Sequence, residues 1–349
     1  MKKLFYLIVL ALIITSCRKV ITEKPFPELG LQKQTDAILS RNAWLEQIAK
    51  QKKDSIDQVN ALSKITGIVD QNSLLTKKNM FAAWVEVNDA SFKNVTCYVA
   101  PDGTPFVDLA MIFAPNINID PATGKTHITY NDKVTALLNA GYVKYIHSKG
   151  IKVGMDLLGN HDAASFTGFM THDEATDFAR HVASEMRRLD MDAISFDDEY
   201  SANSNYSTAS FVMVVSEIKR LLPEKLVICD LYAGAYQSTW NNLLMGDVAD
   251  VGTPATYSSV FPDGTLNFPV NRLFFSEKWS SQQSEANVQS LLDKGYKGIM
   301  NFDFGPARYA DCENYCRSRM KILKKKDLIV IPGCVDNREL QGINNTLIP

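Results

Sequence analysis

Asp197 and Glu199 are the residues best placed to do chemistry in this chain. They lie in the run Asp192-Ala-Ile-Ser-Phe-Asp-Asp-Glu-Tyr200, where a strand-forming apolar core meets three consecutive acids. Side chains alternate faces along a strand. Ala193, Ser195, Asp197 and Glu199 therefore share one face, and Ile194 and Phe196 the other. The two carboxylates would sit roughly 6–7 Å apart along the strand. Their repulsion favours keeping one protonated. A neutral acid beside an ionised one is the pairing that cleavage of a glycosidic bond needs. Asp198 points to the opposite face and reads as structural, and Asp192 reads as a hydrogen-bonding anchor at the strand's start.

The elements that must hold this pair follow from residue 79 onward. Candidate strands are 80–87, 106–114, 152–158, 192–198, 226–231, 248–252, 272–276 and 298–302, most followed by a helical or long-loop stretch. Such alternation predicts a parallel sheet, and eight repeats in about 250 residues fit a closed (β/α)8 TIM barrel. An open doubly wound sheet would normally carry a glycine-rich phosphate loop after its first strand. Here that strand runs into Asn88-Asp89-Ala90-Ser91. The helix before the acidic strand is well specified. Thr171 and Glu174 have capping-box spacing, and Ala175, Phe178, Ala179, Val182, Met186 and Leu189 form one apolar stripe. That stripe should pack on the barrel wall against Ile194 and Phe196.

The rest of the chain divides into a leader (1–17), a tether with a helical extension (18–76), the barrel (77–330) and a peripheral tail (331–349). Met1-Lys2-Lys3 followed by an apolar run to Ile14 reads as a secretory segment, too short to span a bilayer. Ile14-Thr15-Ser16-Cys17 resembles a bacterial lipobox, which implies cleavage before Cys17 and lipid attachment to it. The expected location is the cell envelope, with the outer membrane favoured and the membrane face open. Five cysteines remain, an odd number, so at least one is unpaired or bonded to another chain. Cys312 and Cys316 lie one helical turn apart and Cys334 could reach either. Core thiols or one disulfide are the expectation over zinc, since no histidine cluster accompanies them. A net charge of -2 gives no reason to expect nucleic acid.

The acidic strand resembles the Asp-x-x-Asp-x-Asp-x-Glu signature of glycoside hydrolase family 18. Asp192, Asp197 and Glu199 match, and Ser195 stands where the middle aspartate usually is. The chain is similar to endo-β-N-acetylglucosaminidases of the endoglycosidase H type through four ordered blocks. They are Val85-Glu86-Val87-Asn88, Ile112-Phe113-Ala114-Pro115-Asn116-Ile117-Asn118, Leu158-Gly159-Asn160-His161 and Phe196-Asp197-Asp198-Glu199-Tyr200. The second half matches loosely, through Tyr257 and Asn301-Phe302-Asp303.

The resemblance implies a substrate-assisted retaining mechanism on the GlcNAc–GlcNAc core of N-linked glycans. Glu199 would be the general acid and then the base. Asp197 would orient the substrate acetamide, and Tyr257 would donate a hydrogen bond to its carbonyl. Asn160, Phe113, Asn116, Asn301 and Asp303 are the candidate sugar contacts. Trp240 and Trp279 could equally be rim or core residues. No metal or cofactor is required. The chain is read as a monomer whose partners are glycoproteins. Two alternatives stay open: a glycan-binding barrel without catalysis, and a chitinase-like hydrolase.

Overall fold

The computed structural model describes residues 73–203, 205, 207–231 and 238–336. The leader, Cys17 and residues 18–72 of the expected tether and helical extension lie outside them.

Twelve strands appear in chain order among the described residues: β1 (Met80–Glu86), β2 (Tyr98–Val99), β3 (Leu109–Phe113), β4 (Asn116–Ile119), β5 (Thr126–Thr129), β6 (Lys152–Gly159), β7 (Ala193–Asp197), β8 (Leu226–Asp230), β9 (Val251–Thr253), β10 (Phe274–Glu277), β11 (Gly298–Phe302) and β12 (Ile329–Val330). The α-helices are α1 (Asp132–Asn139), α2 (Tyr142–Ser148), α3 (His172–Arg188), α4 (Ser210–Leu221), α5 (Met245–Val248), α6 (Glu285–Asp293) and α7 (Cys312–Lys324). Eight strands are parallel neighbours in the order β10-β11-β1-β3-β6-β7-β8-β9. A parallel bridge between Gly252 and Leu273 joins the two ends. This is the (β/α)8 barrel, and all eight expected strands contribute to it.

Period-2 alternation sorts the strand residues between two cores. Met80, Ala82 and Trp84 of β1, Leu109, Met111 and Phe113 of β3, Ala193 of β7 and Ile228 of β8 fill the barrel interior. Phe81, Val85, Ile112, Val153, Ile194 and Phe196 face the helices. The cap on α3 forms as its spacing predicts: Thr171 Oγ1 accepts from the Glu174 N–H, and the Glu174 carboxylate accepts from the Thr171 N–H. Such a cap stabilises a helix by about 1 kcal/mol. The apolar stripe then buries Phe178 in a cluster with Phe166, Phe196 and Phe211. Asp192 anchors the strand entry, accepting from His147 Nε2, the Val153 N–H and Lys152 Nζ.

Several expectations are corrected. The second candidate strand begins at Leu109 rather than 106, because Asp108 turns inward to bind Lys77, Lys324 and the Phe81 N–H. Residues 245–248 form α5, so the sixth barrel strand starts at Val251. An unexpected antiparallel hairpin, β4–β5, extends the top of β6 through Asn116–Leu158 and Ile117–Gly159 pairs. Its signal was present: Asn-Ile-Asn-Ile and Thr-His-Ile-Thr alternate, and Asp120 closes the turn by accepting from the Ala122 N–H and the Thr123 hydroxyl. Cys334 does not join Cys312 or Cys316. It forms a disulfide with Cys97, leaving Cys229, Cys312 and Cys316 as buried thiols. The start of the tail is thereby tied to the barrel, with β12 pairing antiparallel to β2 and the Asp336 N–H donating to Asn94.

Candidate active site

The C-terminal ends of the barrel strands surround a cavity of about 360 Å³. Four acids line it from three strands: Glu86 from β1, Asp197 and Glu199 from β7 and its turn, and Asp230 from β8. Phe113, Tyr257 and Phe302 supply aromatic surface. Phe302 packs edge-on against Phe113 at 5.0 Å and stacks on Tyr257 at 5.4 Å between ring centres. Tyr257 also lies under the Lys278 ammonium. Apolar faces beside convergent polar groups suit a sugar, which has both.

β7 ends at Asp197, one residue earlier than its sequence suggests. Glu199 is therefore held by the turn that follows, where Tyr200 takes a left-handed backbone with φ 58. Asp198 fixes that turn. Its carboxylate accepts from the Phe166 and Thr167 N–H groups and the Ser165 and Thr167 hydroxyls. The loop after β6 pairs with the same turn, through His161 N–H to Tyr200 O at 2.7 Å and Ala202 N–H to Asp162 O at 2.6 Å.

Burial, then the charges of Asp156, Glu199 and Asp198, push the Asp197 carboxyl up to about 9. Burial, then Asp156, Asp197 and Glu199, raises Asp230 well above the usual carboxylate range. Glu86 is raised by burial, partly offset by hydrogen bonds from Asn88. The pocket thus holds protons at neutral pH that exposed acids would have lost.

Two of the curated proteins similar to this chain are endo-β-N-acetylglucosaminidases. Endo-beta-N-acetylglucosaminidase F1 of Elizabethkingia meningoseptica is 29% identical over 269 residues, covering 71% of this chain and 77% of its own. An endo-beta-N-acetylglucosaminidase of a Flavobacterium species is 35% identical over 153 residues, 42% of this chain and 48% of its own. A crystal structure of Bacteroides thetaiotamicron EndoBT-3987 with Man5GlcNAc product superposes with a TM-score of 0.65. It is 26% identical, over 73% of this chain and 63% of that one. In sequence and in fold the chain is similar to endo-β-N-acetylglucosaminidases. No family profile matches it.

Of the expected site residues, Glu199, Asp197, Tyr257 and Phe113 meet at this pocket. Asn160 and Asn116 are not among its lining residues; they donate to Asn118 Oδ1 and to Leu158 O respectively. Asp303 is held by Arg308 and Tyr309. Asn301 does not reach the pocket. It faces the helix layer, fully buried, and its amide donates to the Tyr315 hydroxyl. Strand parity explains this: Met300 and Phe302 point inward, so Asn301 between them points out. Trp279 packs at the rim, stacked on Tyr309 and donating to the Asp303 carbonyl.

Sequence reasoning missed Trp84, Glu86, Asp156, Asp230 and Phe302. Parity was the available signal. Trp84 and Glu86 share the inward face of β1, and Asp156 is a lone acid inside an apolar strand.

Gly159 is a further requirement of this arrangement. A Cβ built there would overlap the Glu199 carbonyl oxygen and crowd Ser201 N. Gly159→Ala should therefore displace the acid while leaving every reactive group in place. A misplacement of about 1 Å can cost about 10²-fold, and a loss of that order in kcat is expected, with an unchanged circular dichroism spectrum. Normal turnover by this variant would mean that Glu199 is not held by the approach of the two backbones.

Proposed function

We propose that this chain hydrolyses the β-1,4 bond between the two GlcNAc residues of an N-linked glycan core, leaving one GlcNAc on the protein. The observation that carries this reading is the convergence of Asp197, Glu199 and Tyr257 in one pocket at the barrel's C-terminal face. The solved structures of EndoBT-3987 hold a Man5GlcNAc product and a Man9GlcNAc2Asn substrate, which supports an N-glycan as the ligand class.

The steps are those that the family resemblance implies, assigned to the residues of this pocket. Glu199 gives its proton to the oxygen leaving C1. The substrate's acetamide oxygen bonds to C1 as that bond breaks, forming an oxazolinium with retention to follow. Asp197 accepts the acetamide N–H, and the positive charge developing there favours its ionised form against the burial that raises it. Tyr257 donates its hydroxyl hydrogen to the acetamide oxygen. Burial, then Asp230 and Asp197, raises the Tyr257 phenol, so it stays a donor throughout. Water then bonds to C1 as the C1–acetamide oxygen bond breaks, restoring the acetamide, and its proton goes to the Glu199 carboxylate. Asn160, Asn116 and Asp303 border the sugar path as rim contacts.

The envelope location and lipid attachment at Cys17 belong to the same reading. The Cys97–Cys334 disulfide supports it, since such bonds persist in oxidising compartments.

The test is mass spectrometry of ribonuclease B, a high-mannose glycoprotein, after incubation with the chain lacking residues 1–17. Loss of glycan with one GlcNAc retained is the expected result. A complex-glycan glycoprotein and chitin oligomers run in parallel; cleavage of chitin alone would replace this reading with a chitinase.

A further inference from the structure

The pocket floor holds more acid than those steps use. Asp156 on β6 is fully buried inside the barrel. Its Oδ2 accepts from Trp84 Nε1 at 2.5 Å, and its Oδ1 has no hydrogen-bond partner. Its register partner on β7 is Ser195, whose hydroxyl is also unpartnered. The next inward residue along β7 is Asp197, and its Oδ1 is buried and unpartnered too. An ionised carboxylate in that condition is costly.

Among the described residues nothing cationic offsets it. The groups facing Asp156 are Asp197 and Glu199 from β7 and its turn, Asp230 from β8, Tyr257 after β9, and Trp84 and Glu86 from β1. From β3 come only the apolar Met111 and Phe113. The pocket lining contains no Lys, Arg or His, and Lys278 sits over the Tyr257 ring. One proton held between adjacent strands relieves both bare oxygens at once.

We propose that Asp156 is a positioning residue for Asp197: the two carboxyls hold one proton between them, and Asp156 keeps it when Asp197 turns to the substrate amide. The proton leaves Asp197 as its carboxylate accepts the acetamide N–H, and it returns when the product departs. This deepens the substrate-assisted reading and rests on it. The register position on β7 where the family-18 signature has an acid is neutral here, at Ser195, and the acid stands across from it on β6. The electrostatics agree. Burial raises Asp156 to about 7 despite the Trp84 donor, and Asp156 is the first charge, after burial, that raises Asp197.

The test is a carbon-13 NMR titration of the Asp197 carboxyl in the whole chain and in Asp156→Asn. The amide oxygen can still accept from Trp84, so a merely structural Asp156 would leave the titration unmoved. Removing a neighbouring negative charge lowers a carboxyl's pKa, so the Asp197 midpoint should fall by about one pH unit or more. The pH–kcat profile should move the same way, with kcat lowered and KM nearly unchanged. An unmoved midpoint overturns the proposal. The exchanged pair Asp156→Ser/Ser195→Asp should keep the midpoint raised and restore kcat to within about tenfold. An exchanged pair that folds with a lowered midpoint also overturns it. The titration is read whether or not the chain turns over glycan. Absent cleavage by the unaltered chain would overturn the glycan reading by a separate route.

Discussion

Glu199→Gln should lower kcat on an N-glycoprotein by about 10³-fold, the middle of the range for loss of a general acid, while glycan binding persists. The glutamine is nearly isosteric, and Glu199 is positioned by its backbone: the Asp198 clamp, the left-handed Tyr200 and the close approach of Gly159 all lie outside its carboxyl. The variant therefore keeps the pocket's shape and loses only the transferable proton. An interaction needed only in the transition state lowers kcat and kcat/KM together. Equilibrium binding of a glycopeptide by calorimetry separates the two effects. Near-normal turnover would remove Glu199 from the acid's role. Loss of binding in step with turnover would recast it as a ligand contact.

The second large effect is on stability, and it comes from a cluster behind the pocket. Glu277 at the end of β10 is fully buried and paired with Arg319 of α7 at 2.7 Å, itself 3% exposed. Tyr315 donates to the same carboxylate at 2.6 Å, Asn301 donates to Tyr315, and Arg319 also reaches the Gln283 carbonyl. The cluster locks α7 to the two strands that carry Phe302 and the Trp279 rim. Arg319→Met leaves Glu277 buried with its counter-charge gone, which costs about 3–5 kcal/mol. Urea unfolding should show that loss as a lower midpoint at unchanged slope. The double variant Arg319→Met/Glu277→Gln should recover much of it, because no ion is then stranded. A single variant costing under about 1 kcal/mol would mean that water or a rearranged side chain already satisfies the acid.

The asymmetry of what could be read from the sequence has a physical basis. Barrel strands buried on both faces are short apolar runs, and their order follows from alternation with helices. Thr171 and Glu174 marked one helix start because capping is local. Asp197 and Glu199 stood out as acids ending an apolar run. Asp156 and Asp230 did not, because their meaning depends on which strands become neighbours, and parallel pairing is a non-local fact. Asn301 shows the converse error. A polar residue at a strand end resembled a sugar contact, yet parity turned it to the helix layer. The Cys97–Cys334 pair was unreadable for the same reason, being separated by 237 residues.

That disulfide also changes the connectivity of the molecule. It closes the backbone into a covalent ring that contains every barrel strand except β1. The loops above the pocket, apart from the one that follows β1, belong to the ring, and exposed loops are where proteases cut. A single cut there opens the ring but releases no fragment. A nicked chain therefore remains one molecule, held by its strand pairing and by the sulfur bridge, and it separates into pieces only after that bridge is reduced.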